Sequence, residues 1–203
     1  TNITSIPDKA FKIWKHFKLV RIGASIDGFG HINDYMRYPS KFDQIYNNLK
    51  VLSEAEGNYQ IWIACTVNIF NVLHFPEFME WILHNKLPRV NDNNKKPILT
   101  PHPLHGPKFY NIKALPLYAK KAVESKYEKY RVRLKELVKN LSLSTDRKQA
   151  TIKQIDDLLT QYIDYMNADD YSQYLPDFWK ATRKLDSIRG QTIENYIPEL
   201  YSL

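Results

Sequence analysis

The chain has 203 residues, a formal net charge of +7, 43% hydrophobic and 25% charged residues, the make-up of one sizeable globular domain. Fourteen tyrosines and four tryptophans argue against a disordered chain, and no run of about 18 apolar residues offers a membrane-spanning helix. Cys65 is the only cysteine, which excludes a disulfide within the chain and any multi-cysteine metal centre built from this chain alone.

The single thiol fits a reducing, cytoplasmic setting. The opening TNITSIPDKA lacks the apolar core of a signal peptide.

Ser5-Ile6-Pro7-Asp8 reads as a helix start, with proline and an acid in the first turn. Leu19 to Ile26 (LVRIGASI) is short and apolar, ends at Asp27-Gly28, and predicts a buried strand. Ser40-Lys41-Phe42-Asp43 resembles a capping box with Asp in place of Glu. Phe42, Ile45, Leu49 and Leu52 then share one helical face. Tyr59 to Val67 predicts a second strand, and a helix follows Pro76. Short links between apolar strands and helices predict parallel strands with crossover helices.

Six of the eleven prolines fall between Leu87 and Pro116. The tract VNDNNKK is turn-rich, Ile98-Leu99 is a candidate start for a third strand, and Phe109 to Ile112 is a candidate extended segment. From Leu117 the pattern is helical. Leu117 to Leu141 predicts a long basic helix. Ile152, Ile155, Leu158, Leu159, Tyr162 and Met166 mark a second helix, and a third runs from Pro176 to Gly190. From Lys120 to Lys148 ten Lys/Arg stand against four Asp/Glu, so the excess positive charge is concentrated there. A basic helix is a possible nucleic-acid footprint; the plainer reading is a solvated face with Glu–Lys pairing.

In parallel α/β architectures ligands bind at the carboxyl ends of the strands. The stretch ASIDGFGHINDYMRYPS lies at such an end. Ser25 alternates with Ala24 and Ile26, and Gly28 and Gly30 allow a sharp turn. Arg37 is suited to a carboxylate or phosphate. Without a ligand, the same residues read as a turn capped by Asp27, and Arg37 as a surface partner of Asp34 or Asp43. His102-x-x-His105 offers two imidazoles, but Pro101, Pro103 and Pro107 exclude a regular helix and no nearby acid or thiol completes a metal set.

The order Ser25-Ile26-Asp27-Gly28, a short loop with His31 and Asp34, then Arg37 resembles the fourth-strand segment of radical S-adenosylmethionine enzymes of the twitch/SPASM-like branch. VRIGASIDGFGHINDYMRYPSKFDQIYNNLKVL carries the longer likeness. Thr1-Asn2 resembles the end of the third strand, IACTVNIFNVLHFPEFMEW the fifth strand and its helix, and FWKATRKLDSIRGQTIENYIPEL the closing segment. The resemblance implies part of a (β/α) barrel, about strands four to six, over residues 1–116, then a helical extension over 117–203. It implies that Ser25 meets the ribose of S-adenosylmethionine and Arg37 its carboxylate, that Asp27 shapes the loop or reaches a hydroxyl, and that Asn71 makes a polar contact beside the cofactor. His105 would line the mouth of the site.

The chain departs from the family in lacking the Cys-x3-Cys-x2-Cys loop that holds a 4Fe-4S cluster, and the Gly-Gly-Glu segment. The expectation is therefore a C-terminal portion of such an enzyme, inactive alone, with the rest of the barrel upstream of Thr1 and an unknown peptide or small-molecule substrate. The competing expectation is a cluster-free module that binds nucleic acid or protein through residues 120–148.

Overall fold

The computed structural model describes residues 1–92 and 96–201; the centre of the VNDNNKK tract lies outside them. Three parallel strands form the sheet in the order β1-β2-β3. β1 is Val20–Ser25, β2 Tyr59–Val67 and β3 Thr100–Pro103. Eight helices accompany them among the described residues: α1 Asp8–Trp14, α2 Gly30–Met36, α3 Phe42–Glu54, α4 Phe75–His84, α5 Leu117–Asn140, α6 Thr145–Asn167, α7 Leu175–Arg189 and α8 Pro198–Tyr201.

The expected partial barrel is overturned. The chain is 59% helical around a small three-stranded parallel sheet, and it is α/β only in a loose sense. Physically, three strands are far too few to curl towards closure. The apolar surface is instead gathered by helices, and one contiguous core runs from Ile3 to Leu200.

Several local expectations also change. Leu19 and Ile26 lie outside β1. Ser40 does not cap α3: that helix begins at Phe42, whose N–H donates to the Asp34 carboxylate at 2.6 Å. The cap thus arrives from α2, a helix in a stretch read as loop. Ile98 and Leu99 are fully buried but precede the third strand, which contains both Pro101 and Pro103. Two prolines are tolerated because β3 is the edge strand of a three-stranded sheet. Residues 108–114 form two tight helical turns and not an extended segment.

The sheet has unlike faces. On one, Ile22, Ala24, Ile61, Ile63, Cys65 and Val67 are buried under helices. The parallel register aligns Gly23 with Trp62, Ser25 with Ala64, Ala64 with Thr100, and Thr66 with His102 on the other. That second face is only partly covered, as the alternating burial of β1 and β2 records. Gly23 has no room for a side chain there, since an added Cβ would stand 2.9 Å from the Trp62 ring. At the outer edge of β1, the Thr1 ammonium donates to Gly23 O at 3.0 Å, and the Ser25 N–H donates to Thr1 O at 2.8 Å.

The C-terminal helices lock the loop after β1. The Tyr35 hydroxyl on α2 donates to Asp186 on α7 at 2.8 Å, and the other Asp186 oxygen accepts from Ile193 N–H at 2.9 Å. Arg189 reaches back to Tyr35 O at 3.2 Å. Phe70, Tyr110 and Phe178 pack as a ring cluster with centroids 5.2–6.1 Å apart, each contact worth about 0.5–1.5 kcal/mol beyond area burial. α7 ends at Gly190, whose φ of 63° is the left-handed conformation that glycine adopts without strain. Among the described residues, no helix is long and apolar enough to cross a membrane.

Candidate functional site at the carboxyl end of the sheet

Asp27 leaves β1 just past its last paired residue and turns its carboxylate across the sheet end. One oxygen accepts the Thr66 N–H of β2 at 2.7 Å, and the other pairs with Arg37 Nη2 at 2.8 Å. Burial raises the Asp27 carboxyl above its ordinary value, while the Arg37 charge and the Thr66 amide pull it back. Arg37, just past α2, thus has its partner in Asp27, and not in the Asp34 or Asp43 suggested by sequence proximity.

The guanidinium is incompletely used. Its side chain is 24% exposed, Nη2 is held by Asp27, and Nε is buried without a hydrogen-bond partner. Arginine has five N–H donors in a planar fork, and the Nε donor is enclosed by protein without a partner. A buried donor without a partner costs about 1–3 kcal/mol.

Asn71 lies beneath the same turn. Its Nδ2 donates to Asp27 O at 2.7 Å and to Thr66 O at 2.9 Å, and its Oδ1 accepts from Asn68 N–H at 2.8 Å. With both amide hydrogens and the oxygen engaged, Asn71 ties the ends of β1 and β2 together and offers nothing outward. Asn33 Oδ1 accepts the Asp27 N–H at 3.3 Å, so α2 is fastened to the same knot. Neither Asn33 nor Thr66 stands out in the sequence, because their roles depend on strand register.

Ser25 sits on the partly covered face of the sheet beside Ala64. Its hydroxyl, like those of Thr66 and Thr100 on that face, has no hydrogen-bond partner among the described residues. The structure therefore gathers Asp27, Arg37 and Asn71 into one bonded cluster and leaves Ser25 beside it as a free hydroxyl.

His102 is exposed on the same face, opposite Thr66. His105 lies just past β3, where Leu104 N–H still donates to Val67 O at 2.9 Å. The two imidazoles do not converge on a common point with other ligands: among the described residues, no group of three or more His, Cys, Asp or Glu could hold a metal ion. Cys65 is buried on the helix-covered face, and burial followed by the nearby Asp27 charge pushes its thiol well up. It does not fit an iron–sulfur ligand set, which requires several accessible thiolates.

No family model matches the chain, no curated protein matches it, and no solved structure matches it.

The basic segment has a different character. Lys126 pairs with Glu77; Arg131 with Glu128 and Asp156 at 3.1 and 3.0 Å; Arg133 with Glu80 at 2.7 Å; Lys135 with Asp156 at 2.7 Å; and Lys139 with Glu136 at 3.2 Å. Lys120 donates to Asp169 O at 3.1 Å, and Arg147 to Asn91 O at 2.7 Å. Most of these cations are joined to α4, to α6 or along α5 itself.

Proposed function

We propose that the chain binds S-adenosylmethionine over the carboxyl end of its sheet, as the cofactor-binding part of a radical S-adenosylmethionine enzyme. The observation that carries this reading is Arg37: a guanidinium held at the sheet end by Asp27 through Nη2, with its side chain still 24% exposed. A methionyl carboxylate is a planar acceptor matched to that fork. The free hydroxyls of Ser25 and Thr66 suit a ribose. Asp27 orients Arg37, and Asn71 holds Asp27 in place.

Such an enzyme would need a reducing 4Fe-4S cluster beside the cofactor. The described residues do not fit such a cluster, so its ligands would come from other polypeptide, and the chain alone would bind without turnover. Ion pairing along residues 120–148 disfavours the competing nucleic-acid reading.

Calorimetric titration with S-adenosylmethionine tests the proposal. Arg37→Ala should weaken binding by about 1.5–3 kcal/mol, the scale of a hydrogen bond to a charged group, with Ser25→Ala losing less. Affinity unchanged by Arg37→Ala would remove that residue from the site. No heat or saturation at millimolar cofactor would dismiss the reading as a whole.

A further inference from the structure

The end of α1 and the turn into β1 carry an exposed apolar patch that the Arg37 cluster does not use. α1 packs inward through Phe11 and Trp14, whose rings meet edge-on at 5.5 Å, and Trp14 continues to Tyr59 at 6.0 Å. Ile13, Phe17 and Leu19 stay outside, 55%, 59% and 41% exposed. Single exposed apolar residues are ordinary, but large ones this close in the chain make a patch. A bonded turn holds them out. Lys15 N–H donates to Phe11 O at 3.2 Å, His16 N–H to Ile13 O at 3.1 Å and Phe17 N–H to Trp14 O at 3.0 Å. Asn58 pins the exit: its Nδ2 donates to Lys18 O at 2.8 Å, and its carbonyl accepts the Val20 N–H at 2.9 Å.

The cations around the patch are unmatched. The stretch from Lys9 to Lys18 holds four lysines, Lys9, Lys12, Lys15 and Lys18, and no acid. All four are exposed, and the lysine ion pairs among the described residues all lie elsewhere. Asp8, Glu54 and Glu56 line a crevice between α1 and the end of α3 with Lys12 and Lys15, yet none of them closes to an ion pair. This is the reverse of α5, where most cations meet a carboxylate.

Unmatched cations beside large exposed apolar side chains fit a partner that is anionic at its surface and apolar beneath. A bilayer with anionic headgroups has that layering. A nucleic acid would take the lysines and leave Ile13, Phe17 and Leu19 in water. We propose that residues 9–19 dock the protein on an anionic lipid surface. Ile13, Phe17 and Leu19 enter the headgroup boundary, and the four lysines meet the anionic headgroups. The chain then lies on the bilayer without crossing it, and no described helix is long and apolar enough to cross. The patch adjoins the amino end of β1, whereas Asp27 and Arg37 pair beyond its carboxyl end. The proposal does not rest on the reading of Arg37.

Co-sedimentation of the whole chain with vesicles provides the test, phosphatidylcholine mixed with phosphatidylserine against phosphatidylcholine alone. Binding should require phosphatidylserine and weaken as salt is raised. Lys12→Gln combined with Lys15→Gln should weaken it about thirtyfold, from about fivefold per lysine. Phe17→Ser should weaken it about tenfold. Ile13 is as exposed as Phe17 to within a few per cent, so Ile13→Ser serves as a second variant and should give a similar loss. Lys121→Gln combined with Lys129→Gln, both exposed on α5, should leave vesicle binding unchanged. No binding to the mixed vesicles would overturn the proposal. Binding that survives both serine variants would overturn it too, as would tighter binding to duplex DNA that neither variant alters, since that pattern belongs to a surface that reads phosphate alone.

Discussion

The helical hairpin of α5 and α6 and the carboxyl end of the sheet handle charge in opposite ways. The hairpin holds most of the chain's positive excess and pairs it: Asp156 alone bridges Arg131 and Lys135. The sheet end holds few charges, but Arg37 is left with an unpartnered donor. Net charge along a sequence therefore misdirects attention. Where carboxylates are interleaved at helical spacing or face the helix from a neighbour, cations neutralise locally. Where strand ends meet, one carboxylate is shared between a backbone amide and a guanidinium, and one guanidinium donor is left without a partner.

The contrast can be broken most sharply at Asp27. Asp27→Ala would orphan the Thr66 amide and leave Arg37 partly buried without its counter-ion, so urea unfolding should show a loss of about 3 kcal/mol, near the lower end for breaking a buried pair. A loss under 1 kcal/mol would mean that the cluster is no more cohesive than the hairpin surface. Between these regions, the Tyr127 hydroxyl on α5 donates to Val72 O at 2.9 Å in full burial. Tyr127→Phe should lower stability by about 1–2 kcal/mol in the same assay, since the Val72 carbonyl is left without that donor.

On the hairpin, Asp156→Asn should cost less, about 1 kcal/mol at most, and the difference should shrink in high salt. Its exposure keeps those pairs solvated. A cost equal to that of Asp27→Ala would erase the distinction between the two regions.

The smallest effect is a pH slope at His74. Burial lowers this imidazole below its ordinary value of 6.5, with the Glu199 carboxylate at 3.2 Å opposing the shift. Below about pH 6.5 the unfolded chain then binds the proton more readily than the folded one. The His74 contribution to stability is full above that pH and is lost as pH falls towards the folded value. The melting temperature should decline from pH 7 to pH 5, and His74→Gln should flatten that decline; an unaltered slope would show that the acid sensitivity arises elsewhere.

Local patterns in the sequence translated well into structure. The apolar run from Tyr59 to Val67 is β2, residue for residue, and Phe42, Ile45, Leu49 and Leu52 form the buried face of α3. Gly190 ends α7, as expected, and does so in the left-handed conformation. These features depend on neighbours within a few residues.

What was not legible depends on pairings across the chain. The barrel expectation extended two strands and a motif into an architecture, although closure depends on strand number and on which surfaces the helices cover. α2 was missed because GHINDYM is short and has little apolar periodicity. Arg37 was matched to Asp34 or Asp43, acids close to it in sequence, although the turn after β1 brings Asp27 to it. Tyr165 and Asn111 gave no signal of their hydrogen bond, since 54 residues separate them.

The bond from Tyr35 to Asp186 has a consequence in time. It closes a loop of 151 residues, and such long closures carry a high entropic cost and tend to come late in folding. α2 is followed by Arg37 and carries Asn33, so the arginine and the turn that holds it are set only once α7 has docked. During synthesis, β1 and its loop would leave the ribosome long before the residue that secures them. The sheet end would then gain its final shape only after the residues of α7 had been made and had docked.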